Sequence, residues 1–194
     1  MLTVAPESKT DSPYLASLQS LCEDKQQTLE WLVIAHNDPA LIRRLSEVVD
    51  DESAAMLQIP QSNWDLEAGD LPLAVKWSID VAGVERLLLV GHSQAGLQGE
   101  SASWIGDGLA TVEPADSLQS SYQRLLGGAN QVQHEIQQSK DHFAAQVSHL
   151  CEIEEVQRAL VEGRLQLHAL FYVSQGGMFL LFDLVTQTFR PLNS

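Results

Sequence analysis

Arg86–Gly96, RLLLVGHSQAG, is the stretch that decides the fold. Four apolar residues, Leu87 to Val90, run without alternation into Gly91 and His92. Such a run is a strand buried on both faces, as in a parallel sheet, and the small residues after it open its carboxyl end into a tight turn. Trp31–Ala35, WLVIA, has the same form and ends on His36, followed by Asn37, Asp38 and a helix-opening Pro39. As parallel neighbours the two runs place His36 and His92 at strand carboxyl ends, the edge along which open α/β sheets hold ligands. Two imidazoles and the Asp38 carboxylate then converge on one point; the alternative for each histidine is a hydrogen-bonded structural ring.

Outward from this pair, Tyr14–Glu30 reads as a helix with Leu15, Leu18, Leu21 and Cys22 at helical spacing. Its stripe packs on its own domain or reaches across to a second copy. Leu41–Asp50 reads as a helix, Ser53–Ile59 as a strand stopped by Pro60, Asn63–Gly69 as a turn-rich connection, and Leu71–Val81 as a helix ended by Gly83. Strand, helix, strand, helix, strand in that order builds a parallel sheet through right-handed crossovers. Leu97–Ser117, with Gly99, Gly106 and Gly108, reads as a loop over the sheet's mouth. Gly127 and Gly128 precede a polar helix over Asn130–Cys151. A helix over Glu154–Glu162 capped by Gly163, a strand over Leu165–Val173, a turn at Gly176 and Gly177 and a return strand over Met178–Val185 close the chain as a hairpin. The expected organisation is an N-terminal arm and amphipathic helix over 1–30 and a single α/β domain over 31–194.

The chain has 194 residues, 44% of them hydrophobic, which suits one α/β domain with a packed core. It is acidic: a formal net charge of −15, with no local run of Lys or Arg, argues against nucleic acid and anionic membrane surfaces as partners. The N-terminal MLTVAPESKTDSP lacks the basic and apolar segments of a secretory signal, and no stretch approaches the ~20 apolar residues of a membrane span; the expected compartment is the cytoplasm. Cys22 and Cys151 are far apart and imply neither a disulfide framework nor a CxxC metal knuckle, so both read as reduced packing residues. His134, His142 and His149 share roughly one face of the polar helix, but metal ligands on a helix sit three or four apart, so these read as a solvated face or helix contacts. Trp64, Trp77 and Trp104 read as packing residues.

The order IAHND, then a helix, then LLLVGHSQAG, then VEGRLQLHALFYV, SQGG and MFLLFDLVTQTFRPL resembles the β-class carbonic anhydrases from about Trp31 onward. The third-strand motif together with the Leu165-Gln166-Leu167-His168 ending carries the resemblance. It implies a central parallel sheet flanked by helices with a C-terminal β-hairpin, and dimers that extend one sheet and exchange N-terminal helices. It also implies a zinc site of two cysteines and one histidine, beside an Asp–Arg pair that orients zinc-bound water for hydration of carbon dioxide to bicarbonate. At the matching positions this chain has His36 for the first cysteine, Asp38 for the aspartate, Ala40 for the arginine, His92 for the histidine and Ala95 for the second cysteine. His168 matches a recurrent histidine of the terminal strand, but Ala169 and Leu170 replace the usual Gly-Trp, and no chemistry is assigned to it.

Ala95 has no donor atom, which leaves His36, Asp38 and His92 as the metal-binding candidates. Two imidazoles and a carboxylate hold a metal with open positions in some catalytic sites. An Asp38 that ligates cannot also orient the water, and the outer groups that would bring the pKa of that water toward ~7 are missing. The expectation is therefore a degenerate zinc site with no bound cofactor and no carbon dioxide hydration. The protein is expected to be a homodimeric or higher binding or scaffold protein, with bicarbonate or another small anion as its ligand class. The first alternative is an active hydratase with zinc on His36, Asp38 and His92 and Asp38 as catalytic group. The second is a serine hydrolase: Gly91-His92-Ser93-Gln94-Ala95 approaches the G-x-S-x-G nucleophile elbow, with Ser93 as nucleophile, an acid from Asp107, Asp116 or Asp141, and His168 as base by order alone. Ala95 and the absence of an HGGG-like segment stand against it, and the other role for Ser93 is a hydroxyl that satisfies backbone groups in the turn.

Overall fold

The computed structural model describes residues 13–25, 29–47, 49, 53–59, 70–93 and 117–192. The elements in chain order are α1 (Pro13–Lys25), β1 (Trp31–His36), α2 (Pro39–Ser46), β2 (Ala54–Ile59), α3 (Leu71–Asp80), β3 (Arg86–His92), α4 (Ser117–Glu152), α5 (Glu154–Val161), β4 (Gln166–Val173), β5 (Met178–Asp183) and β6 (Thr188–Pro191). The six strands form one sheet in the order β2-β1-β3-β4-β5-β6. β1 pairs in parallel with β2 and β3, and β3 with β4; β5 and β6 follow antiparallel. The chain order reverses between β1 and β3, so the crevice beyond their carboxyl ends is the switch point of the sheet.

The unbroken apolar runs are explained by the two layers they face. Leu32 and Ile34 of β1 and Leu87 and Leu89 of β3 join the core under α1, α3, α4 and α5, with Leu18, Ala74, Val75, Phe143, Val147, Leu150 and Val156. Val33, Ala35, Leu88, Val90 and Tyr172 face the other way, against Leu41 and Leu45 of the short helix α2. Trp31, Met56, Leu170 and Phe179 at the border of this second cluster are only partly buried.

Three expectations need correction. The polar helix was placed over Asn130–Cys151, whereas α4 begins at Ser117 and runs through Gly127 and Gly128. A glycine in a helix interior costs only about 0.5–1 kcal/mol relative to alanine, which a helix of 36 residues absorbs. The closing hairpin is a three-stranded meander. Asp183 Oδ1 accepts from the backbone N–H groups of Val185 and Thr186, both at 3.0 Å, and this Asx-type turn ends β5 and starts β6. The N-terminal helix was placed over Tyr14–Glu30, whereas α1 is described over Pro13–Lys25 and Leu29 and Glu30 are not helical; α1 lies against α3 and β2, Leu18 is buried, and the Tyr14 N–H donates to Asp70 Oδ2 at 3.1 Å. The connection at Asn63–Gly69, most of the loop at Leu97–Ser117, the Leu21 side chain, Trp64, Trp104, Ala95, Asp107 and Asp116 lie outside the described residues.

Candidate functional site

The register explains where the two histidines stand. Ala35 of β1 is level with Val90 of β3, so His36 ends its strand one residue short of His92. Side chains alternate along a strand. His36 therefore continues the Leu32, Ile34 side, toward α4, while His92 continues the Leu88, Val90 side, toward α2. Both rings are fully buried. Their centroids are 6.2 Å apart with the planes at 63°, edge toward face. The sequence thus brings the pair to one strand end, and the pleat offsets them.

Asp38 caps α2. Its backbone is extended, Pro39 follows in the first turn, and its Oδ1 accepts from the Leu41 N–H at 2.8 Å. The other oxygen, Oδ2, stands 3.8 Å from His92 Nε2. Tyr172, level with His92 on β4, packs its ring 5.5 Å from the imidazole. Arg44 of α2 lies over that tyrosine and donates from Nη1 to the Gly177 carbonyl at 2.7 Å, tying α2 to the β4–β5 turn. Ala40, at the position where the resemblance expects arginine, is exposed.

Burial sets the protonation of both rings. It is the main cause that lowers the His36 pKa from 6.5 to about 3, with the charges of His92 and His142 adding to it and Asp38 opposing. Burial also lowers His92, again against Asp38. Neutral imidazole is the resulting form of His36 at physiological pH. Burial pushes the thiols of Cys22 and Cys151 up, the latter helped by Glu152, so neither supplies a thiolate.

The hydrolase arrangement is not assembled. His168 pairs with Leu88, five residues before Ser93, so it lies about 16 Å along the sheet from that hydroxyl. It packs against Trp31 instead. Ser93 Oγ accepts from the Ser174 N–H at 3.1 Å and lies 3.0 Å from Ser174 Oγ, the turn-satisfying role. Asp141 accepts from Gln137 Nε2 on the exposed face of α4.

Searches with the whole chain found no matching family profile and no matching curated protein. Solved structures do match. The β-carbonic anhydrase CcaA is similar with a TM-score of 0.55 at 18% identity, covering 94% of this chain and 86% of that one. The CafD β-carbonic anhydrase of Aspergillus fumigatus, as its E54A mutant, is similar with a TM-score of 0.55 at 14% identity, covering 94% and 99%. A tetrameric β-carbonic anhydrase of Sordaria macrospora gives 0.53 at 14%, covering 87% and 92%.

This chain has the β-carbonic anhydrase fold.

Among the described residues the two imidazoles stand wider apart than one shared zinc holds them. Two imidazoles that share one zinc at the usual 2.0–2.1 Å have ring centres about 5 Å apart in tetrahedral geometry. Here they are 6.2 Å apart on opposite sides of the pleat. Among the described residues no group of three or more His, Cys, Asp or Glu side chains is arranged to hold a metal ion.

Reading the sequence missed the contribution of α4 to this strand end. Ser139 Oγ donates within reach of the Ser93 carbonyl at 2.9 Å, and the Phe143 ring lies on Gly91. The stripe Val132, Ile136, Ser139, Phe143, Gln146, Leu150, spaced by four and three, was the available signal: it marks the face that docks.

Proposed function

We propose that this protein keeps the β-carbonic anhydrase fold without zinc-dependent carbon dioxide hydration and works as a self-associating binding or scaffold protein. The observation that carries this reading is the strand-end site itself. His36 and His92 are buried, offset imidazoles, and Asp38 is engaged in capping α2. Without a thiolate pair and without an arginine at position 40, no group in the described site activates or orients a water for attack on carbon dioxide.

Self-association is supported by the thinly covered sheet face. Among the described residues α2 is the one helix that lies on it, and Trp31, Met56, Leu170 and Phe179 are only partly buried around it. The proposed location is the cytoplasm, and among the described residues no helix is long and apolar enough to cross a membrane. The ligand to titrate first is bicarbonate, as the small anion that the fold's enzymes produce.

The deciding experiment is metal analysis of the purified protein followed by stopped-flow carbon dioxide hydration, with light scattering for the assembly state. The expected result is substoichiometric zinc, a rate equal to the uncatalysed one, and a dimer or larger species. One zinc per chain with turnover abolished by His92→Ala would overturn the reading in favour of a His36, Asp38, His92 hydratase.

A further inference from the structure

On the α2 side of the sheet, the strand end is held by a hydrogen bond that the functional reading does not use. Arg44 donates from Nη1 to the Gly177 carbonyl at 2.7 Å, and its guanidinium carbon stands 5.8 Å from the centre of the Tyr172 ring. Only a glycine admits it, since a Cβ at position 177 would come within 2.8 Å of Arg44 Nη2. The β4–β5 turn is weakly bonded within itself. The Gly176 N–H to Val173 carbonyl and Gly177 N–H to Ser174 carbonyl bonds are both 3.3 Å, beyond the usual range of about 2.7–3.2 Å. Its outside ties are shorter: the Ser174 N–H donates to Ser93 Oγ at 3.1 Å where the turn begins, and Arg44 holds it where it ends.

The other end of the bond is equally dependent. Helix α2 has eight residues, fewer than the ~12–15 an isolated helix needs in water, so its form rests on its anchors. Those are the Asp38 cap, the buried Leu41 and Leu45, and Arg44. Between helix and turn lies His92, fully buried, with the Tyr172 ring 5.5 Å away and Asp38 Oδ2 3.8 Å from its Nε2. Arg44 itself is exposed, so its bond exchanges with water and belongs to the low-stability end of the structure.

We propose that α2 and the β4–β5 turn form a clasp over the His92 side of the strand end, latched by Arg44. Release of this one bond loosens helix and turn together and opens His92 to solvent and small molecules. The opposite side does not have to move: His36 faces α4, which keeps its seat through Phe143 on Gly91. The clasp is a local opening, and it is independent of whether the protein hydrates carbon dioxide.

Hydrogen exchange and diethyl pyrocarbonate labelling of the full chain in chelator, both read by mass spectrometry, test this in wild type, Arg44→Ala, Arg44→Met and Arg43→Ala. Arg44→Met keeps an apolar stem over Tyr172 and removes the donor. Both Arg44 variants are expected to exchange at least tenfold faster in residues 39–46 and 174–178 together, and to label His92 at least tenfold faster. Residues 143–150 and His36 should stay at wild-type rates, as should every rate in Arg43→Ala, which alters the exposed neighbour. The clasp is overturned if the turn loosens while α2 does not, if Arg44→Met keeps wild-type rates, or if His92 labelling does not move. Faster exchange throughout the chain, or an Arg43→Ala protein that behaves like Arg44→Ala, would overturn it as well, by showing a general loss of stability in place of a local latch.

Discussion

Acid should weaken this fold through His36 in a way that one substitution isolates. The ring is fully buried, and its pKa is lowered to about 3, against 6.5 for an ordinary histidine in the unfolded chain. The folded value lies below the unfolded one. The contribution is therefore complete above pH 6.5 and is lost progressively as the pH falls toward 3, because the unfolded chain takes up a proton that the folded chain refuses. Each pH unit in that window is worth about 1.4 kcal/mol, so lowering the pH from 7.5 to 5 costs about 2 kcal/mol from this residue. Urea unfolding of wild type and His36→Gln at pH 7.5, 6.5, 5.5 and 5 measures it. Other titrating groups are common to both proteins and largely cancel in the difference. The stability gap between wild type and variant is expected to shift by about 2 kcal/mol against wild type across the series. A gap that stays flat would show that His36 is not held neutral by burial, and a gap moving in favour of wild type would show a ring that is charged in the fold.

Further perturbations address the neighbouring elements. Gly91→Ala forces a methyl against the Phe143 ring and is expected to cost about 1–3 kcal/mol in urea unfolding, partly recovered in Gly91→Ala/Phe143→Leu. A single variant that melts like wild type would remove the close α4 seat. Asp38→Ala deletes the α2 cap and should lose about 1 kcal/mol, whereas Asp38→Asn keeps an oxygen for the Leu41 N–H and should lose less. Equal losses would show that the cap is not the stabilising contact. Gly177 has φ +60 and faces the Arg44 guanidinium; Gly177→Ala is expected to cost about 1 kcal/mol or more, and wild-type stability in that variant would refute the turn geometry.

Much of the fold was readable because both central strands are sealed on two sides. Leu87–Val90 and Trp31–Ala35 carry no polar residue to confuse their period, and parallel order follows from the helices between them. What escaped was long-range or compensated. Gly127 and Gly128 look like a boundary locally, yet the length of α4 overrides them. β6 depends on Asp183 turning the chain through its own side chain, a signal carried by one residue. The docking of α1 on α3 is settled by Asp70, 56 residues from its partner Tyr14. At the site, the two strand ends gave His36, His92 and Asp38 their place. The offset between the rings needed the register of β1 against β3, and the docking of α4 needed the seat of Phe143 on Gly91. Neither appears in a local pattern.

Strand β6 has one more effect, on how copies could stack edge to edge. It is four residues long, carries Arg190, and ends on Pro191, which has no N–H to offer an incoming strand. β2 at the opposite margin has no proline over Ala54–Ile59. Among the described residues the β6 rim therefore offers an incoming strand less to pair with than the β2 rim does, so a sheet extended by a second copy would grow from β2 and would end in β6 on both outer sides.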